Sequence, residues 1–109
     1  MAPKVHGAWA VAVHEALAAF PDVLVGQIVP GRQGYELVLT TRRSPPPDEL
    51  VAGLRRALGE LVAREDSPLA EAATGRVGLH FYPGVGERER ALLDELDWRG
   101  AVVLHEWVE

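Results

Sequence analysis

The chain has 109 residues, of which 48% are hydrophobic and 25% charged, and it carries a net charge of −5. A chain of this length buries about two-thirds of its surface when it folds, which is enough for one hydrophobic core and too little for two. The composition therefore excludes a disordered chain and predicts a single α/β domain over residues 1–109.

Charge and cysteine content exclude several classes of function. The 11 basic residues are outnumbered by 16 acidic ones and are spread from Lys4 to Arg99. Because a nucleic-acid-binding protein needs a basic stripe to release phosphate counterions, we expect no nucleic-acid partner.

The sequence has no cysteine, which excludes disulfides and thiolate zinc sites. No run reaches the ~20 apolar residues of a membrane span, so we expect a cytoplasmic protein with no membrane contact.

The first third of the chain predicts a helix followed by a β-hairpin. Apolar residues recur every three or four positions from Pro3 to Phe20, which is the period of an amphipathic helix with Trp9 in its buried stripe. The residues 23–29 then read as a strand that is apolar on both faces. Two glycines in the turn at 30–34 and alternation over 35–40 predict that a second strand returns beside it.

The middle of the chain predicts a second helix and a short third one. Prolines at 45–47 precede Asp48 and Glu49, which favour the positive end of a helix dipole. The helix that follows has one apolar stripe, formed by Leu50, Leu54, Leu58, Leu61 and Val62. A short helical turn is expected from Asp66 to Ala73, ended by Gly75.

The last third predicts a strand at 76–82, a helix at 87–96 and a final strand at 101–108. The order α-β-β-α-β-α-β favours an α+β two-layer sandwich with a four-stranded mixed sheet, in which a hairpin is followed by crossovers through helices. A ferredoxin-like variant is the alternative fold, and the order of the strands stays open.

The loop at 83–86 joins a strand to a helix, a place where backbone N–H groups can hold a phosphate. It lacks the third glycine of a dinucleotide fingerprint and the lysine of a P-loop. Glu87 and Glu89 in the next helical turn would repel an anion. We therefore expect no phosphate-bearing cofactor, and the sequence offers no signal for any other.

Four histidines are present, and the first two are poorly placed for a joint metal site. His6 and His14 lie eight residues apart on the predicted first helix, about 80° apart around its axis. One helix cannot bring both rings to one ion. We interpret them as surface residues, with His14 directed away from the stripe of Trp9.

The other two histidines lie on the last two predicted strands. If Val77, Leu79 and Phe81 face the helices, His80 and Tyr82 face the opposite side of the sheet.

On the final strand, Val102 and Leu104 facing the helices would turn His105 and Trp107 outward as well. The opposite register would bury Val103 and Trp107 and place His105 in the core. Periodicity does not choose between these two registers, because a shift of one residue exchanges the faces.

The first register yields one candidate binding patch on the open face of the sheet, made of His80, Tyr82, His105 and Trp107. Exposed aromatic residues supply much of the binding energy of protein interfaces. The sequence therefore favours a non-catalytic protein-interaction or regulatory module that can self-associate through this face.

Two other hypotheses stay open. One is a small enzyme or metal-binding protein that uses His80 and His105, although a third metal ligand and a nucleophile are not evident. The other is an acidic antitoxin- or immunity-type protein that masks a basic partner. Because two strands are apolar on both faces, we also expect either the first helix or a second copy of the chain to cover the second face of the sheet.

Overall fold

The computed structural model of the chain describes residues 7–32, 34–69 and 79–108. Its elements are α1 (Gly7–Ala18), β1 (Val23–Pro30), β2 (Tyr35–Thr41), α2 (Asp48–Val62), β3 (Leu79–Tyr82), α3 (Glu87–Glu95) and β4 (Val102–Glu106). A 3₁₀ turn at Trp98–Gly100, which the sequence analysis did not predict, precedes β4. The predicted order of elements is confirmed. Most of the expected short helix and the start of the expected third strand lie outside the described residues.

The four strands form one mixed sheet in the order β3-β2-β1-β4. β1 runs antiparallel to both β2 and β4, while β2 and β3 are parallel. The connection through α2 therefore joins neighbouring strands, whereas the connection through α3 carries the chain from one edge of the sheet to the other. As a result β3 and β4 lie about 14 Å apart, with two strands between them.

The larger core lies on the sheet face covered by α1 and α2. Its buried members are Trp9, Val13, Leu17, Val23, Ile28, Leu37, Leu39, Leu54, Leu58, Leu79 and Phe81. The indole Nε1 of Trp9 donates a hydrogen bond of 2.7 Å to the carbonyl oxygen of Leu61, which ties α1 to the end of α2. Since α1 packs on the same face as α2, it does not cover the second face of the sheet.

The second face carries a smaller core under α3 and the 3₁₀ turn. Val29 and Val38 of the sheet are buried there against Leu93 and Leu96, with Trp98 and Ala101 packed beside them. The molecule is thus a two-layer sandwich with a short additional helix on its other side. No helix in the described part of the chain is long and apolar enough to cross a membrane.

The pairing of β4 with β1 contains a bulge that decides which way its side chains point. Val103 pairs with Gln27 and His105 with Gly26, so three residues of β4 oppose two of β1. Leu104 is the additional residue. Because a bulge interrupts the alternation of a strand, Leu104 and His105 both lie on the side of α1, and Val103 lies on the side of α3.

Candidate interaction surface

His80 lies on the α3 side of β3, as the alternation of that strand predicts, but it is not free to bind. Its Nε2 lies 3.1 Å from Oε2 of Glu36 on β2, and its Nδ1 lies 3.5 Å from Oε2 of Glu89 on α3. All three side chains are mostly buried. The imidazole therefore links two strands to the first turn of α3, and each of its ring nitrogens faces a carboxylate oxygen.

Glu89 also closes the loop between β3 and α3. Its Oε1 accepts hydrogen bonds from the backbone N–H of Val85 at 2.9 Å and from that of Phe81 at 3.3 Å. These are donors of the kind that a phosphate would use. In this structure a carboxylate of the protein itself accepts both hydrogen bonds.

His105 is buried on the opposite face of the sheet, with 4% of its surface exposed. Its Nδ1 lies 3.1 Å from Nδ1 of His14 on α1, and its Nε2 has no hydrogen-bond partner in the described part of the chain. Burial lowers the pKa of the His105 imidazole, and the neighbouring His14 lowers this pKa further.

His14 is exposed, as predicted, although its ring reaches inward to His105. His6 lies outside the described residues.

Trp107 follows β4 at the edge of the sheet and is half-buried. Its backbone N–H donates a 2.8 Å hydrogen bond to the carbonyl of Leu24, and the guanidinium of Arg42 lies 5.7 Å from the centre of its ring.

The structure thus does not bring the predicted site residues, His80, Tyr82, His105 and Trp107, into one patch. Two features of the fold separate them. The strand order puts His80 and His105 on opposite edges of the sheet, and the bulge at Leu104 turns His105 toward α1. The expectation that His105 shares an outward face with His80 is wrong, and so is a joint site for these two rings. Tyr82 alone keeps the predicted exposed position, with 49% of its surface accessible.

A different set of side chains forms an open surface on the α3 side of the sheet. Register and alternation place Val25, Gln27, Thr40, Tyr82 and Val103 on this side. We call these five residues the open patch. Val103 is 56% exposed. The open patch combines apolar and uncharged polar side chains from all four strands.

A groove of about 460 Å³ lies between the sheet and α3, and part of the open patch forms one of its walls. It is lined by Gln27, Thr40, Tyr82, Pro83, Arg90, Leu93, Asp94 and Trp98. The rings of Tyr82 and Trp98 meet edge to face, with centroids 5.8 Å apart, and Trp98 Nε1 donates a 2.7 Å hydrogen bond to the carbonyl of Leu93. Both aromatic rings are therefore held in place before anything binds.

The surface combines several kinds of side chain. It offers aromatic and aliphatic area, the amide of Gln27, the hydroxyl of Thr40 and one charge of each sign on α3. Across residues 7–32, 34–69 and 79–108 no three histidine, aspartate or glutamate side chains are grouped so that they could hold a metal ion.

Gln27, Thr40 and Val103 were not predicted as site residues, because only the strand order places them side by side. One local signal was available. Gly26 interrupts an otherwise apolar strand, and glycine inside a strand marks a bulge or a close approach of another chain segment. A Cβ atom at Gly26 would lie 2.4 Å from Cδ1 of Leu17 and 3.7 Å from Cβ of His105.

Comparison with known proteins adds no family to this description. No family model, no curated protein and no solved structure matches the chain.

Proposed function

We propose that this chain is a non-catalytic protein-interaction module that binds a protein partner through the open patch and the adjoining groove. One observation carries the proposal. Tyr82 and Val103 are exposed on the two edge strands, with the other, uncharged residues of the open patch between them, and a groove of about 460 Å³ lies beside them. The remainder of this face is sealed by α3.

The composition of the surface supports this proposal. Protein interfaces combine an apolar, aromatic-rich centre with a polar rim, and tyrosine and tryptophan often dominate their binding energy. Here Tyr82 and Trp98 supply aromatic area, while Arg90, Asp94 and Glu106 supply charged groups on the same side of the sheet. Because the bulge in β4 interrupts the regular hydrogen-bonding edge, we expect a partner to bind the face of the sheet rather than extend it.

Two further observations favour binding over catalysis. The ring of His80 is mostly buried between the carboxylates of Glu36 and Glu89 and does not line the groove. His105 is buried under α1, on the other side of the sheet. The net charge of −5 favours a protein partner over a nucleic acid, and we place the interaction in the cytoplasm.

A capture experiment with matched surface variants tests the proposal. Wild-type protein, Val103→Glu and Val11→Glu are immobilised, and proteins retained from an extract of the native cells, including copies of the chain itself, are quantified. Val11 is the control because it is also 56% exposed but lies on α1. A charge placed within an apolar contact should weaken binding at least about tenfold.

We expect a defined protein to be retained by the wild type and by Val11→Glu and lost from Val103→Glu. The same set of proteins on all three forms, or none on any of them, would contradict the proposal. Tyr82→Ala should reduce retention of the same protein, because it removes the aromatic ring without adding charge.

A further inference from the structure

The fold brings together two histidines that lie 91 residues apart in the chain. His14 lies on α1, and the bulge at Leu104 turns His105 of β4 toward that helix. The two Nδ1 atoms are 3.1 Å apart, the ring centroids are 5.0 Å apart and the ring planes are tilted by 47°. The same nitrogen of each ring therefore faces the other ring.

This separation suits a metal ion as well as a shared proton. Imidazole nitrogens bind zinc at about 2.0–2.1 Å. Two nitrogens 3.1 Å apart that both lie at this distance from one ion form an angle of about 100° at the ion. That angle lies between the right angle of square-planar or octahedral coordination and the wider tetrahedral angle. The two rings can therefore bind one ion without moving apart.

The protonation state of the pair also suits a metal ion. A metal binds the neutral imidazole, and burial together with the neighbouring His14 lowers the pKa of His105, so this ring is neutral at about pH 7. When both rings are neutral, one Nδ1 carries a proton that hydrogen-bonds to the other Nδ1. On metal binding that ring moves its proton to Nε2, and both Nδ1 lone pairs become available.

The surroundings of the pair determine which ions fit. His14 is exposed, so water reaches the pair from the surface of α1 and can complete the coordination shell. In the described part of the chain no third histidine, aspartate or glutamate joins them. Imidazole ligands without carboxylates favour copper, nickel and zinc over magnesium and calcium, which prefer oxygen ligands.

We propose that His14 and His105 bind one divalent transition-metal ion, of the class of copper, nickel and zinc, through Nδ1 of both rings. Water supplies the other ligands. The ion links α1 to the edge strand β4, on the sheet face opposite the open patch. The site is therefore independent of the protein partner proposed above.

A titration of the metal-free full chain with Cu²⁺ at about pH 7.5 tests the site, because Cu²⁺ binds imidazole most tightly among these ions and His105 is neutral at that pH. Calorimetry measures the affinity, and pulsed electron paramagnetic resonance counts the imidazoles bound to the ion. His14→Gln and His105→Gln each remove one of two protein ligands, so each should weaken binding at least about tenfold. His80→Gln is the matched control, since it removes a histidine outside the pair.

The wild type and His80→Gln should bind one Cu²⁺ through two imidazoles, and His14→Gln and His105→Gln should each lose one imidazole from the complex. A wild-type protein without saturable Cu²⁺ binding would overturn the proposal. Equal affinities of His14→Gln and His80→Gln would do the same, as would a wild-type complex with fewer than two imidazoles.

Two further measurements guard against misfolding and keep this test separate from that of the proposed function. His14 is exposed, so His14→Gln tests the site even if the buried variant His105→Gln fails to fold. An ion that binds only the folded chain raises its melting temperature, so excess Zn²⁺ should stabilise the wild type and His80→Gln more than His14→Gln. An equal rise in all three would assign the binding to other groups. Val103→Glu, on the opposite face, should bind Cu²⁺ like the wild type.

Discussion

The two faces of the sheet differ in how completely helices cover them. On one face α1, with 12 residues, and α2, with 15, lie over the sheet and seal a continuous core. On the other face α3 has only nine residues. A helix is about 10 Å wide, whereas a four-stranded sheet is nearly twice as wide, so one short helix leaves part of the face uncovered. The open patch is the part of this face that α3 does not cover.

The same difference determines what each histidine does. On the sealed face His105 is buried beside His14, and its pKa is lowered by that burial. On the partly open face His80 links β2, β3 and α3 through two carboxylates. The exposed surface is formed by neighbouring side chains and not by these two rings.

The largest effect should come from the sealed face. Trp9→Ala removes a fully buried indole and its hydrogen bond to Leu61, and it leaves a cavity between α1 and α2. We expect the free energy of unfolding to fall by about 3–5 kcal/mol, measured by urea denaturation.

The contrast with the other face sharpens this prediction. Leu93→Ala on α3 should cost about 2 kcal/mol, because its smaller cluster can collapse toward solvent. Equal losses for Trp9→Ala and Leu93→Ala would mean that the two faces contribute similarly to stability, contrary to the difference in their helical cover.

An intermediate effect should follow from breaking the link at His80. His80→Ala leaves the carboxylates of Glu36 and Glu89 without this partner, in positions that are mostly shielded from water. We expect a loss of about 1–2 kcal/mol in the free energy of unfolding, moderated because solvent still reaches all three groups. His80→Gln, which retains a hydrogen-bond donor, should lose less. No difference between the two variants and the wild type would exclude a stabilising role for the link.

The smallest effect should be a dependence of stability on pH that originates at His105. Its pKa in the folded protein lies below the ordinary value of 6.5. The unfolded chain therefore binds the proton more tightly, and the free energy of unfolding should decrease as the pH falls from about 6.5 toward the lowered pKa. Above pH 6.5 this contribution is fully present and does not change.

Urea denaturation at several pH values between 7.5 and 4.5 measures this effect. His105→Leu should remove the change that occurs just below pH 6.5, because no group remains there to be protonated. His14→Ala should reduce it, since one of the two causes of the lowered pKa is lost. An unchanged pH profile in His105→Leu would assign the effect to other groups.

The helices and the hairpin could be predicted because their signals are local. The stripe of Leu54 and Leu58 on α2 and the glycine-containing turn before Tyr35 depend only on neighbouring residues. The observed ends of the helices and strands differ from the predicted ends by a few residues. The 3₁₀ turn at Trp98 was not predicted, because a segment of three residues shows no periodicity.

The candidate site could be predicted only at Tyr82. Its strand alternates regularly, so the inward positions of Leu79 and Phe81 determine where Tyr82 points. The same reasoning failed for His105, because the bulge at Leu104 adds one residue to the pairing and reverses the alternation beyond it. A bulge depends on the neighbouring strand, and that neighbour was unknown before the fold.

The sequence by itself determined the order of the elements and the apolar stripes that build the larger core, because these follow from periodicity along the chain. Only the tertiary structure decided that β4 lies beside β1, that His105 turns toward α1 and that Val25, Gln27, Thr40, Tyr82 and Val103 share one open surface. Such a surface draws on strands far apart in sequence. Its composition is therefore fixed by pairing and register, which no local pattern encodes.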